Sequence, residues 1–271
     1  MSRVAVVTGA ARGIGAATVR GLAAAGWSVV AVDRGSDDSR LPYPMGTAAE
    51  LDAVVAEALD LQSEPAGTAP PGGGRIVARL ADATDPDALG AVVAETEERF
   101  GGLDAMVAVA GVIAGGVPLW EMPRHELDAV LDVDLSAPFR LSRAAIRGML
   151  RRRYGRVIQI SSIVGSVGNP GQTNYAAAKA GVAGLVRGLA VELADSGVTA
   201  NAVSPGSTAT AMLDESARIY GLTDTGSFAE QQPVGRLLTS DEVAAALVWL
   251  AGTQSGALTG AVIPVDGGLA L

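Results

Sequence analysis

The chain has 271 residues, no cysteine, and 29 acidic against 20 basic side chains, which gives a formal net charge of −9. Without cysteine it can hold neither disulfides nor a thiolate metal site, so we expect no metal and a reducing, cytoplasmic location. The acidic balance disfavours a nucleic-acid partner or an anionic membrane surface, and no apolar run is as long as a membrane span or a signal peptide.

In chain order, apolar strands alternate with helical segments. Strands are predicted at 3–8, 27–33, 75–80, 103–111, 155–162, 198–204 and 260–268. Helices are predicted at 13–26, 48–62, 86–101, 124–153, 173–194 and 240–252, with a polar helical region up to about 232. Strands this apolar are covered on both faces. The alternation predicts one α/β domain over residues 1–271, a Rossmann fold whose doubly wound parallel sheet has about seven strands with helices on both faces.

The turn after the first predicted strand reads "TGAARGIG". Its G-x-x-x-G-x-G pattern is formed by Gly9, Gly13 and Gly15. Such glycines let the backbone approach a pyrophosphate at a helix N-terminus, although a glycine-rich turn without a ligand is the alternative. Asp33 ends the second strand, where a carboxylate accepts hydrogen bonds from ribose hydroxyls and repels a 2′-phosphate. Arg12 and Arg34 could instead bind such a phosphate, but Asp33 is better placed, so we predict NAD rather than NADP.

The stretch "TNYAAAKAG" places Tyr175 and Lys179 four residues apart, on one face of a predicted helix. A phenol has a pKa of about 10, and a nearby ammonium lowers it and favours the phenolate. Ser162 ends the fifth predicted strand, at the edge where parallel sheets bind ligands. An isolated pair of this kind is more often an ordinary exposed helix pair. Together with Ser162 and the glycine turn, it predicts a catalytic site whose serine holds the substrate oxygen.

With these motifs the sequence resembles the classical short-chain dehydrogenase/reductase family over essentially its whole length. The resemblance rests on "TGAARGIG", "LADATD", the "AG" after strand four, "ISS", "YAAAK", "NAVSPG" and "TGAVIPVDGG". It implies that Ser162 orients the substrate hydroxyl, that Tyr175 is the general acid/base, and that Lys179 binds the nicotinamide ribose. It also implies a homotetramer and a set of cofactor contacts: Gly9, Arg12, Gly13, Ile14, Gly15, Asp33, Arg34, Asp82, Ala83, Ala110, Gly111, Tyr175, Lys179, Pro205, Gly206, Thr208 and Thr210.

Two positions depart from the pattern of that family. Ala108 and Val109 stand where the family usually has two asparagines. Asp134, in "DVDLSAPF", aligns with an asparagine that holds a proton-relay water in the family. We count Asp134 among the catalytic residues, and the alternative is that it partners a nearby arginine.

An insertion at about 36–74 follows the second strand and begins beside the expected adenosine site. Thr47 and Glu50 form a capping box for a helix whose predicted apolar face contains Leu51, Val54, Val55, Ala58 and Leu59. The pattern "PYP…T…EL" resembles the mycofactocin-associated, carveol-dehydrogenase-like branch of the family, a nicotinoprotein branch in which NAD is buried. The insertion is then a flap over the adenine end of the cofactor. A longer surface helix without a role is the alternative, and the Pro/Gly-rich loop 63–74 has no assigned role.

The expected reaction transfers a hydride from a secondary, hydrophobic alcohol to tightly bound NAD and gives a ketone or aldehyde. Mycofactocin then reoxidises the NADH. Trp120, Met212 and Leu213 predict an apolar pocket, and residues 207–235 a mobile lid over the substrate. The alternatives are an ordinary NAD-dependent dehydrogenase or 3-ketoacyl-type reductase with freely exchanging cofactor, and a redox-sensing or scaffold protein without catalysis.

Overall fold

A computed structural model describes residues 2–63 and 74–271. Within them, seven strands form one sheet in the order β3-β2-β1-β4-β5-β6-β7, and all neighbouring strands are parallel. The strands are β1 (Val4–Thr8), β2 (Ser28–Asp33), β3 (Ile76–Leu80), β4 (Ala105–Ala108), β5 (Gly155–Ile160), β6 (Val198–Pro205) and β7 (Val262–Val265). The order reverses direction between β1 and β4, which confirms the predicted doubly wound Rossmann fold.

Helices cover both faces of this sheet. They are α1 (Gly13–Ala24), α2 (Ala48–Ser63), α3 (Pro86–Phe100), α4 (Arg124–Leu131), α5 (Ala137–Arg152), α6 (Val164–Val167), α7 (Thr173–Glu192), α8 (Ala211–Ile219), α9 (Gly226–Glu230) and α10 (Ser240–Ala251). Side chains alternate across β1: Ala5 and Val7 pack with α1, α2 and α10, whereas Val6 packs with α3, α5 and α7. The two apolar cores that result explain why the strands are apolar throughout.

The predicted helix at 124–153 is wrong as a single α-helix. It is divided into α4 and α5 by a π-helical turn at Asp132–Ser136. Pro138 lacks the N–H that would bond to the carbonyl four residues earlier, so the α pattern cannot continue unbroken there. The turn buries Val133 and Asp134, and such insertions are frequent at functional sites.

The second half of the insertion is an ordinary crossover helix. Thr47 and Glu50 form the predicted capping box, with the Thr47 N–H 2.7 Å from the Glu50 carboxylate and the Glu50 N–H 3.1 Å from the Thr47 hydroxyl. On the predicted apolar face of α2, Leu51 is fully buried but Leu59 is 44% exposed, because that face is narrower than predicted. The helix packs on α1, and Gln62 donates to the carbonyl of Ala23 on α1 and to that of Trp27 before β2.

In the described part of the insertion, the extra chain is therefore residues 36–46, which we call the strap. The Pro/Gly-rich stretch at 64–73 lies outside the described residues. Across the part of the chain that the structure describes, no helix has the length and apolarity needed to cross a membrane.

Candidate active site

A cavity of about 740 Å³ opens at the carboxyl ends of β1, β2, β4, β5 and β6. This is the edge at which open parallel sheets bind ligands. Ser162 and all of the predicted cofactor contacts line the cavity: Gly9, Arg12, Gly13, Ile14, Gly15, Asp33, Arg34, Asp82, Ala83, Ala110, Gly111, Tyr175, Lys179, Pro205, Gly206, Thr208 and Thr210. Asp134 lies behind the cavity wall, in contact with Lys179.

At two positions of the glycine turn, a residue larger than glycine would clash with neighbouring backbone. Gly9 has φ +68°, and a Cβ at this position would lie 2.7 Å from the backbone nitrogen of Ala110. A Cβ at Gly15 would overlap the carbonyl oxygen of Gly9. Both positions thus require glycine, and the turn opens onto the N-terminus of α1. The backbone there fits the pyrophosphate of a dinucleotide, which such a turn cradles with its N–H groups.

Asp33, at the end of β2, is fixed on one side of the cavity by backbone hydrogen bonds. Its carboxylate accepts from the Ala11 N–H at 3.0 Å and from the Gly35 N–H at 3.2 Å. A carboxylate oxygen can accept more than one hydrogen bond, so the side chain can still bind ribose hydroxyls from the cavity.

Arg34, the first of two candidate phosphate ligands, is held by two carboxylates. Its guanidinium lies 2.8 Å from Asp38 and 3.3 Å from Asp82. The guanidinium groups of Arg40 and Arg34 hold the pKa of Asp38 well below its usual range, so this partner stays charged. These two ion pairs occupy the Arg34 guanidinium, so Arg34 is weaker evidence for NADP binding than the sequence indicated.

Ser162, Tyr175 and Lys179 meet at the other end of the cavity. Ser162 follows β5, and its hydroxyl accepts from the Val164 N–H at 3.2 Å. On α7, the Lys179 ammonium lies 5.5 Å from the centre of the Tyr175 ring and donates to the Ile160 carbonyl at 3.2 Å. The Ser161 hydroxyl donates to the Lys179 carbonyl at 2.8 Å, which ties α7 to the end of β5.

The pKa of Tyr175 lies above its ordinary value. Burial raises it most, Lys179 lowers it as predicted, Asp134 raises it, and the contact with Ser162 lowers it. The lysine acts in the expected direction, but its effect is smaller than that of burial.

Asp134 is fully buried and forms an ion pair with Lys179, with 2.8 Å between Oδ1 and Nζ. Its other oxygen accepts from the Val112 N–H at 3.2 Å. The alternative of a nearby arginine partner for Asp134 is wrong, because its partner is Lys179, and Arg140 pairs with Asp132 at 2.7 Å. Asp132 and Asp134, two residues apart on the π-helical turn, therefore bind different partners.

The strap supplies contacts that the sequence motifs did not predict. Arg12, the other candidate phosphate ligand, donates to the Pro44 carbonyl at 2.6 Å, and the Met45 N–H donates to Asp37 at 2.8 Å. The Tyr43 hydroxyl accepts from the Ile113 N–H at 2.8 Å. The only sequence signal for this arrangement was the pair of prolines around Tyr43.

The strap extends further than an adenine flap. Leu41 is buried in a cluster with Val112, Val133 and Tyr175, at the catalytic end of the cavity. The flap was predicted over the adenine end alone, and the strap extends beyond that end. The strap crosses the cavity from Asp33 to the catalytic side, and Tyr43, Pro44, Met45 and Gly46 line its wall.

The substrate side is apolar, with a small polar group that the sequence did not reveal. Met212 and Leu213 on α8 and Phe228 on α9 line the cavity. Trp120 is 84% exposed and is not among the lining residues, so its predicted place in the pocket is wrong. Glu215 and Arg218 also line it and form an ion pair at 2.5 Å. Among the described residues, no cluster of three or more acidic or histidine side chains could hold a metal ion.

The fold and this site together define a Rossmann-fold oxidoreductase. The chain belongs to the short-chain dehydrogenase/reductase family: residues 54–270 match the family model described as Enoyl-(Acyl carrier protein) reductase. It is 42% identical to the short-chain reductase protein NovJ of Streptomyces niveus, over 98% of this chain and 93% of that protein. It is 34% identical to the 3-oxoacyl-acyl-carrier-protein reductase FabG of Escherichia coli, over 98% and 97%.

A solved structure shows the same fold. The carveol dehydrogenase of Mycobacterium avium, in complex with NAD, superimposes with a TM-score of 0.90 at 29% identity. The match covers 98% of this chain and 97% of that one.

Proposed function

We propose that the protein is an NAD-dependent dehydrogenase that oxidises a hydrophobic, secondary alcohol to a ketone, or a related alcohol to an aldehyde. One observation carries this proposal: Ser162, Tyr175 and Lys179 line the same cavity as the glycine turn and Asp33. The apolar side chains of α8 and α9 support a hydrophobic substrate. A cytoplasmic location, a homotetramer and a mobile lid at 207–235 stay predictions.

The proposed mechanism assigns one task to each side chain. Ser162 donates a hydrogen bond to the alcohol oxygen and fixes it beside Tyr175. Tyr175, as the phenolate, takes the proton of that oxygen, and Lys179 stabilises the phenolate and binds the nicotinamide ribose. When bound, the nicotinamide supplies the acceptor for the hydride that leaves the carbinol carbon. Burial of Tyr175 and Lys179, which are 8% and 3% exposed, keeps bulk water from this step.

Asp33 and Arg34 favour NAD over NADP. Asp33 presents a fixed negative charge at the position of the adenosine ribose, and Arg34 is held by Asp38 and Asp82. The complex of the similar carveol dehydrogenase with NAD supports the same choice.

The strap supports tight retention of the cofactor. It is anchored to Arg12 beside the glycine turn and to Ile113 beside the catalytic residues. A dinucleotide below it could leave only after the strap opens. We therefore propose that NADH stays bound and is reoxidised in place by mycofactocin, as the resemblance to that branch implies.

The second candidate is an ordinary reversible dehydrogenase or 3-ketoacyl-type reductase with freely exchanging cofactor. The similarity to the reductases NovJ and FabG favours it. In that case the strap closes and opens in each turnover.

Purification followed by extensive desalting separates these candidates. We expect stoichiometric NAD(H) to stay with the protein. The absorbance of bound NADH should rise when a hydrophobic alcohol is added, and turnover should require an artificial electron acceptor. Protein that purifies without nucleotide and turns over rapidly with added NAD⁺ would contradict retention and favour the second candidate. Protein that binds NAD but oxidises no alcohol and reduces no ketone would contradict both.

A further inference from the structure

The ion pair between Asp134 and Lys179 is enclosed by protein. The two side chains are 0% and 3% exposed, and Oδ1 and Nζ lie 2.8 Å apart. The second carboxylate oxygen accepts from the Val112 N–H, and the ammonium also donates to the Ile160 carbonyl. A buried pair is stable only where such additional hydrogen bonds satisfy both ions. The Lys179 ammonium is therefore held by Asp134 together with the Ile160 carbonyl.

A second effect of this contact is electrostatic. An ammonium beside a phenol favours the phenolate, but a carboxylate in contact with that ammonium offsets part of its field. The pKa of Lys179 lies above its ordinary value. Burial lowers this pKa, but the charges of Asp134 and Tyr175 raise it by more, so the lysine stays an ammonium. The pKa of Asp134 lies above its ordinary value, because burial raises it by more than Lys179 and the Val112 N–H lower it. The carboxylate form is inferred from the geometry, since Oδ1 lies 2.8 Å from the Lys179 ammonium.

Several polar groups surround the pair. Among the described residues, the Val112 N–H and the Ile160 carbonyl bond to it, the phenols of Tyr175 and Tyr43 interact with its charges, and the Ser162 hydroxyl contacts Tyr175. The other acid of the π-helical turn, Asp132, binds Arg140 and Arg40. Asp134 is thus the carboxylate that acts directly on Lys179 and, through it, on Tyr175.

We propose that Asp134 is a positioning residue that fixes the Lys179 ammonium and partly neutralises its charge. Alcohol oxidation by the wild type therefore requires a more alkaline pH than oxidation by a variant with an amide at position 134. Only the expected effect on alcohol turnover rests on the proposed function. The ionisation of Tyr175 is a property of the folded site and can be measured without any substrate.

The test compares the wild type with D134N as purified, with bound nucleotide. An amide keeps a hydrogen-bond acceptor for Lys179 and removes the negative charge. We expect the titration of Tyr175, followed by tyrosinate absorbance against the Y175F variant, to move about 1 pH unit or more toward acid. The rise of the alcohol-oxidation rate with pH should move by the same amount. Below its midpoint, D134N would then be about tenfold faster than the wild type.

D132N is the matched control, because it removes an equal charge from the same turn without touching Lys179. Its Tyr175 midpoint should equal that of the wild type. If D134N does not fold, D134S removes the same charge with a smaller side chain, and the same shift is expected. An unchanged or more alkaline Tyr175 midpoint in the folded variant would overturn the proposal. A shifted midpoint without any alcohol oxidation would leave it standing and overturn the proposed function instead.

Discussion

The glycine turn at 9–15 and the strap at 36–46 both border the cofactor cavity, but different forces hold them in place. The glycine turn is shaped by close backbone packing: Gly15 lies against the Gly9 carbonyl, and Gly9 lies against the backbone of Ala110. The strap is held by side-chain contacts with distant residues, among them the Tyr43 hydrogen bond to Ile113, 70 residues away, and the ion pair of Arg40 with Asp132. The turn therefore depends on the absence of side chains, whereas the strap depends on the side chains that anchor it.

This difference separates two properties of cofactor binding. Under the proposed function, a turn fixed by sterics determines whether the pyrophosphate fits at all. A strap held by a few polar contacts, each hydrogen bond with a net value of about 1 kcal/mol, then determines how fast a bound nucleotide escapes. Variants of the turn should change affinity, and variants of the strap should change dissociation rate.

The largest effect is expected from Gly15→Ala. The added Cβ overlaps the Gly9 carbonyl, so the turn must shift, and overpacking of this kind costs about 1–3 kcal/mol. NAD affinity should fall by about 100-fold or more, in line with the upper part of that range, measured by calorimetry after removal of bound nucleotide.

Gly90→Ala is the control for this variant, because a Cβ at this helical position meets nothing within 4 Å. Its affinity should match the wild type, and its stability should be equal or higher by about 0.5–1 kcal/mol. Normal NAD affinity in G15A would show that the turn does not contact the cofactor.

Asp33→Asn should give the next largest effect. Removing the carboxylate abolishes repulsion of a 2′-phosphate, and such like-charge contacts cost several kcal/mol. The ratio of NADP to NAD affinity should therefore rise by about tenfold or more. Asp52, an exposed acid on α2, provides the control: D52N removes the same charge at a distance and should leave the ratio unchanged. An unchanged ratio in D33N would place the adenosine elsewhere.

A division between local and distant contacts explains what the sequence could predict. The capping box of Thr47 and Glu50 spans three residues, and its prediction was correct. Because this contact depends on the local pattern alone, it can be predicted without coordinates.

Contacts that depend on a change in helix geometry were not predictable. The π-helical turn changes the face on which Asp134 lies, and in this geometry Asp134 contacts Lys179. The direction of the strap was likewise hidden, because no periodic pattern specifies where Leu41 and Tyr43 pack. Trp120 was assigned to the pocket from residue type alone, and it is exposed.

Tyr43→Phe tests the strap itself. The variant leaves the Ile113 N–H without its acceptor, at a cost of about 1–3 kcal/mol. Bound NADH should dissociate about fivefold to tenfold faster, the lower part of that range, measured by fluorescence with an excess of competing nucleotide. Tyr154→Phe is the matched control, since the Tyr154 hydroxyl has no hydrogen-bond partner among the described residues. Equal rates for Y43F and Y154F would show that the strap does not limit escape.

The smallest effect is expected from Glu57→Gln, which tests whether α2 belongs functionally to the strap. Glu57 pairs with Arg20 on α1 at 3.0 Å, and its side chain is 58% exposed. An exposed pair contributes about 0–1 kcal/mol, so thermal unfolding should shift slightly and NADH dissociation should not change. Because α2 packs on α1 away from the cavity, its surface charges cannot act on the cofactor. Faster NADH dissociation in E57Q would mean that the strap and α2 open as one unit. It would contradict the distinction between a strap that ends before residue 47 and a separate crossover helix after it.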